Sequence, residues 1–148
     1  MTLSRSDKLL IHVSNVAVTG SGLAYAWMLY LLEPVDEFSI LNHPWQDSMR
    51  NLHLWFAPLL VFGCAMVWKG HVWERLRTGR QRRRRSGLMM VIPLFPMIFS
   101  GYFLQTAVDE SWRQTWLWMH LLSSGLWLIA SIAHFVPAMI RACVGASR

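Results

Sequence analysis

The sequence predicts an all-α integral membrane protein: a four-helix up-down-up-down bundle, N-in and C-in. Hydrophobic residues make up 54% of the 148 residues and charged residues only 15%, which is typical of membrane proteins. Four apolar stretches are each long enough to cross a bilayer as a helix. An arginine-rich run, Arg75 to Arg85, separates the second stretch from the third, and such positive loops stay in the cytoplasm. The length predicts one transmembrane domain over residues 1–148.

The predicted spans cover residues 9–32, 52–73, 87–108 and 115–140. An acidic loop that contains Pro34 and Pro44 follows the first span, and we place it outside the bilayer. Pro93 and Pro96 are expected to bend the third span. A short connection beginning at Asp109 leads into the fourth span. In a soluble protein the arginine run would suggest nucleic acid, but between two spans it indicates topology, so we expect lipid and no nucleic acid as partner.

The fourth span carries two histidines, His120 and His134, fourteen residues apart. In a helix they lie roughly 40° apart in azimuth and about 21 Å apart along the axis, so both point off one face. Ionisable groups inside a membrane span are costly and usually functional, and neutral imidazole is a common metal ligand. The spacing therefore predicts two metal centres at two depths.

Two further histidines match these depths if neighbouring helices alternate in direction. His53 near the start of span two meets the level of His120 at the outer end, and His12 in span one meets His134 at the inner end. Two such pairs are what two bis-imidazole hemes require, and helical bundles commonly hold such cofactors. No CxxCH motif is present, so the hemes would be held by coordination alone.

Other interpretations of the histidines remain open. They could bond neighbouring helices or line a water cavity, and zinc is a weaker alternative because no carboxylate or thiolate joins either pair. His71 is an alternative partner for His134, since it lies eighteen residues after His53, on the same face and about 27 Å further along. We prefer His12, because that distance exceeds the spacing of the histidines in span four by about 6 Å and Lys69 places His71 outside the hydrocarbon.

This histidine pattern, with NHPW at Asn42 to Trp45 and KGHVW at Lys69 to Trp73, resembles the four-helix di-heme cytochrome b family. That family includes bacterial cytochrome b561 and the membrane gamma subunits of respiratory formate dehydrogenases and nickel-iron hydrogenases. The resemblance covers the chain from Leu9 to Ile140. It implies two heme b groups in a bacterial inner membrane protein, the outer heme bound by spans two and four and the inner heme by spans one and four.

The resemblance also implies a function, namely electron transfer across the membrane between the quinone pool and a periplasmic redox subunit. That subunit would be a c-type cytochrome, an iron–sulfur protein or another dehydrogenase, and this chain the membrane subunit of a respiratory complex. Quinone would bind near the inner heme, with His71, Lys69 and Asn15 as candidates to contact its oxygens. One alternative is a standalone cytochrome b561-type superoxide:quinone oxidoreductase. Another is a non-redox membrane anchor.

Overall fold

A computed structural model describes residues 4–34, 36, 38–78 and 84–146. The elements are α1 (Arg5–Tyr30), α2 (Gln46–Val67), a π-helix (Trp68–Trp73), α3 (Glu74–Arg77), α4 (Arg84–Thr106) and α5 (Glu110–Ala146). No strand occurs in the described part of the chain, so the all-α prediction is confirmed.

Four helical segments within the described residues are long and apolar enough to cross a membrane. They are Arg5–Tyr30, Gln46–Trp73, Gly87–Thr106 and Glu110–Pro137. This supports a multi-pass membrane protein by length and composition. The topology and the choice of membrane stay predictions, and residues 79–83 of the arginine run lie outside the described residues.

Polar caps start two of the helices earlier than hydropathy predicts. The Ser4 hydroxyl accepts from the backbone N–H of Asp7, whose carboxylate accepts from the Ser4 N–H, both at 3.0 Å, so α1 begins at Arg5. Asp109 accepts from the Ser111 hydroxyl at 2.5 Å and the Trp112 N–H at 3.0 Å, and α5 begins at Glu110. These hydrogen bonds, that from Ser111 first, lower the pKa of Asp109.

The loop between α1 and α2 is closed by hydrogen bonds from Asn42, the first residue of the NHPW motif. Its side-chain amide donates to the Leu29 carbonyl at 3.0 Å, and its backbone N–H donates to the Gln46 side chain at 3.1 Å. The neighbouring His43 accepts from the Trp45 N–H at 3.1 Å. As a result α2 begins at Gln46, and His53 is its eighth residue rather than lying in its first turn.

Residues 1–74 and 75–148 form two compact units, and the prediction of a single domain stays a prediction. In the first unit α1 packs on α2. Gly22 faces His53 and Gly63 faces Ile11, so the position on α2 rises as that on α1 falls and the two helices are antiparallel.

The second unit is a hairpin of the same kind, made by α4 and α5. Gly101 faces His120 and Gly87 faces His134, which fixes an antiparallel register along the pair. Near the α4–α5 turn the rings of Phe103 and Trp116 stack with centroids 4.4 Å apart. The first hairpin therefore brings one histidine against a glycine of the facing helix, and the second hairpin brings two.

Replacing Asn42 with alanine tests the loop closure. The variant loses the side-chain bond to the Leu29 carbonyl, and we expect the free energy of unfolding to fall by about 1 kcal/mol. Unfolding in a denaturing detergent, followed by tryptophan fluorescence, measures this free energy. Asn51→Ala is the control, because Asn51 is exposed on α2. An equal loss in both variants would contradict a specific role for Asn42.

Candidate functional site

His53 is held by the backbone of the helix opposite. Its Nδ1 atom lies 2.9 Å from the carbonyl oxygen of Val18 on α1. A carbonyl oxygen can only accept, so Nδ1 carries the proton of this bond. In the neutral ring the lone pair is then on Nε2, the tautomer in which a histidine commonly binds metal while its other nitrogen is held by an acceptor.

Gly22 makes room for this ring. A Cβ atom on Gly22 would lie 2.8 Å from Nδ1 and 2.9 Å from Cε1 of His53, closer than real Cβ contacts allow. The ring thus occupies the volume that any larger residue at position 22 would need. Close approach of two helices over small residues is common in membranes, and here it brings a half-buried imidazole within reach of a main-chain acceptor.

His120 is held in the same way in the second unit. Its Nδ1 lies 3.1 Å from the carbonyl oxygen of Met97 and 3.2 Å from the hydroxyl of Ser100, both on α4. A Cβ on Gly101 would lie 3.2 Å from Cε1 of the ring. The Met97 carbonyl fixes the proton on Nδ1, so the neutral ring has its lone pair on Nε2.

The two arrangements share one local pattern, which we call the histidine seat. A seat consists of a carbonyl at one position of the facing helix, a serine three residues later and a glycine four residues later. The seat of His53 is Val18, Ser21 and Gly22, and the seat of His120 is Met97, Ser100 and Gly101. Each serine hydroxyl donates to carbonyl oxygens of its own helix. Ser21 lies 2.6 and 3.2 Å from those of Ala17 and Val18. Ser100 lies 2.5 and 3.2 Å from those of Pro96 and Met97.

His134 lies further along α5 and also faces a glycine. A Cβ on Gly87 would be 4.0 Å from its Cε1, an ordinary van der Waals distance, so this contact is looser than the two seats. The ring meets that of Phe135 edge-on at 5.4 Å. Gly87 and Gly101 are fourteen residues apart, like the two histidines they face.

His12 is placed differently from the other three predicted ligands. It is exposed, and its neighbour Ile11 packs on Gly63, with Cγ1 3.1 Å from the position of a Cβ. Gly22, which marks the level of His53, lies ten residues beyond His12, about 15 Å along α1. The histidines on α5 are about 21 Å apart, so the distance from His12 is about 6 Å too short. The distance of about 27 Å from His53 to His71 is about 6 Å too long. The spacing along the helices therefore does not decide whether His12 or His71 is the partner of His134.

The segment that contains His71 and Lys69 is a π-helix. The prediction that His71 shares a face with His53 assumes an uninterrupted α-helix, and the π-helix breaks that assumption because its i→i+5 bonds change the angle per residue. Lys69 is exposed, whereas Asn15 is buried. In the register set by Ile11 and Gly63, Asn15 and His71 lie about twelve residues, or roughly 18 Å, apart along the hairpin. The structure therefore does not bring Asn15 close to this second quinone candidate.

The face of α5 between its two histidines is largely buried. Trp127, midway between them in sequence, is 5% exposed, and Ser131 is 3% exposed. Within the described residues the Ser131 hydroxyl has no hydrogen-bond partner. A buried orphan hydroxyl is uncommon and marks a place where a bound group could supply the missing bond. No group of three or more histidine, cysteine, aspartate or glutamate side chains arranged to hold a metal ion occurs in the described residues.

Comparison with known proteins identifies no relative. No protein-family model, curated protein or solved structure matches the chain. The geometry of the two hairpins is therefore the structural basis for any functional conclusion.

The sequence interpretation identified the histidines but missed what holds them. Gly22, Gly101 and Gly87 each follow a serine, and the fourteen-residue spacing of the last two repeats that of His120 and His134. That shared spacing is the signal that these glycines and histidines pair at two levels. The carbonyls of Val18 and Met97 leave no signal in the residue types, because every residue offers a carbonyl.

Gly22→Ala tests the seat of His53. The added methyl group overlaps the imidazole, so we expect the ring to move and its bond to Val18 to lengthen or break while the helices stay folded. Side-chain ¹⁵N NMR of histidine-labelled protein in micelles measures the Nδ1 signal. Gly20→Ala is the matched control, since a Cβ on Gly20 meets nothing within 4 Å. An unchanged His53 signal in Gly22→Ala would contradict the seat.

Proposed function

We propose that this chain is a di-heme b-type cytochrome that transfers electrons across a bacterial inner membrane, between the quinone pool and a periplasmic redox subunit. The observation that carries the proposal is the matched contact of His53 and His120, each through Nδ1 with a main-chain carbonyl oxygen. The Nδ1 atoms lie 2.9 and 3.1 Å from carbonyl oxygens of the facing helices, which require the proton on Nδ1. These are the two histidines that depth and family resemblance assign to one heme.

The donor atoms fit bis-imidazole ligation. A neutral histidine whose Nδ1 proton is fixed by an acceptor offers Nε2 as ligand, and the acceptor also increases the basicity of the ring. His53 and His120 would hold the outer heme, and His12 and His134 the inner heme. The looser contact of His134 and the exposure of His12 make the inner pair the less constrained of the two.

Heme held by two histidines of this chain would supply one-electron exchange rather than binding of dioxygen or substrate. The residues of the chain hold the ligand rings, exclude water and set the polarity around them. The buried Trp127 and Ser131 lie on α5 between the two histidines and would line the region between the two centres. Quinone would bind toward the inner end, where Lys69 and His71 lie in the π-helix.

A non-redox membrane anchor is the rival function. One observation favours it, since a histidine bonded to a carbonyl of the next helix also serves as a helix–helix contact, worth about 1 kcal/mol or less inside a membrane. Such an anchor needs the Nδ1 bond but does not need Nε2 as a metal ligand. Heme content separates the two functions directly.

Loss of heme in histidine variants tests the pairing. His53→Ala and His120→Ala should each contain one heme per chain instead of two. The double variant should also contain one, because both residues bind the same iron. A pyridine hemochrome assay of purified protein gives the count. His43→Ala is the control, as its ring lies in the loop and accepts from Trp45. A double variant without heme, or single variants with two, would rule out this pairing.

The inner ligand is decided by comparing His12→Ala with His71→Ala. We expect His12→Ala to lose one heme and His71→Ala to keep both while its quinone-coupled turnover falls. The heme count and a quinol oxidation assay on the same preparations measure these effects. If His71→Ala loses a heme and His12→Ala does not, His71 is the ligand and the predicted inner pair is wrong.

A further inference from the structure

Ser100 is the most buried hydroxyl near a candidate ligand, with 0% exposure. Its oxygen lies 2.5 Å from the Pro96 carbonyl and 3.2 Å from the Met97 carbonyl, so its single proton is directed to α4's own backbone. The lone pairs of that oxygen remain for the Nδ1 of His120, 3.2 Å away. The Met97 carbonyl at 3.1 Å from the same Nδ1 requires a proton there, which makes Ser100 a second acceptor for it.

The two seats differ in this respect. The Nδ1 of His53 lies 2.9 Å from the Val18 carbonyl oxygen, and the Ser21 hydroxyl of its seat donates to the carbonyls of Ala17 and Val18. His120 shares its Nδ1 proton between a carbonyl at 3.1 Å and a hydroxyl at 3.2 Å. The serine of the seat therefore contacts the imidazole in the second hairpin, whereas in the first it bonds the backbone of its own helix.

We propose that Ser100 is a positioning residue for His120, and that as second acceptor of its Nδ1 proton it lowers the reduction potential of the heme this histidine binds. The inference rests on the proposed function. An acceptor at Nδ1 increases the electron density that Nε2 gives to a metal, and this favours the ferric over the ferrous iron. The second acceptor also opposes rotation of the ring away from the Met97 carbonyl.

Ser100→Ala removes the second acceptor and keeps the helix. We expect the reduction equilibrium constant of one heme to rise by about threefold and at most about tenfold, because the bond's strength differs between ferric and ferrous iron by no more than the worth of one neutral hydrogen bond. A tenfold rise is about 59 mV for a one-electron couple. A redox titration followed at the b-type absorption bands measures it. Ser123→Ala is the matched control, because Ser123, on α5, is a buried serine like Ser100, but its hydroxyl bonds the carbonyls of Met119 and His120 and does not accept from the imidazole.

A second readout needs no cofactor. In heme-free protein with ¹⁵N-labelled histidine, Ser100→Ala should shift the His120 Nδ1 signal and speed exchange of its proton, while Ser123→Ala leaves both as in the parent. This measurement also decides the matter if the alanine variant fails to retain heme. If the chain binds no heme but Ser100→Ala still shifts the His120 Nδ1 signal, the proposed cytochrome function is wrong and the hydrogen bond between Ser100 and His120 is confirmed. A two-heme variant with unchanged potentials and an unchanged Nδ1 signal overturns the role of Ser100.

Discussion

A hydrogen bond from a histidine Nδ1 to a main-chain carbonyl of the neighbouring helix is the interaction that orients an imidazole in both hairpins. In a lipid environment a polar N–H without a partner costs several kcal/mol, so a ring that enters the helix interface must find an acceptor. Helix carbonyls already accept from the N–H four residues on, but each has a second lone pair to offer. Val18 and Met97 supply it, and glycine four residues later lets the ring come close enough to use it.

This bond also decides what the ring can do next. With the proton on Nδ1, the remaining nitrogen of a neutral imidazole is a base and a metal ligand. In the other tautomer Nε2 would carry the proton and could only donate, while the Nδ1 lone pair would face the lone pairs of the carbonyl oxygen. The main chain of α1 and of α4 thus selects the tautomer of His53 and His120 that is able to bind a metal, without a carboxylate or any other charged group, which is costly in a membrane-spanning helix. The constraint is built from backbone and glycine.

Much of the fold follows from the sequence because hydropathy and charge act over whole segments. The four apolar helices are confirmed, while their ends differ wherever a local cap or loop bond decides, as at Ser4, Asn42 and Asp109. The histidines could be named from residue type and spacing. Their acceptors could not, since a carbonyl has no sequence signature. The π-helix at His71 was equally hidden, because an extra residue per turn reflects packing rather than composition.

The direct test of the cytochrome is the reduced-minus-oxidised visible spectrum of the purified chain, expressed with ample heme supply and normalised to protein concentration. We expect low-spin b-type bands at an intensity of two hemes per chain. A colourless protein, folded and monodisperse in detergent, would contradict it and leave the histidines as contacts between the helices of a membrane anchor.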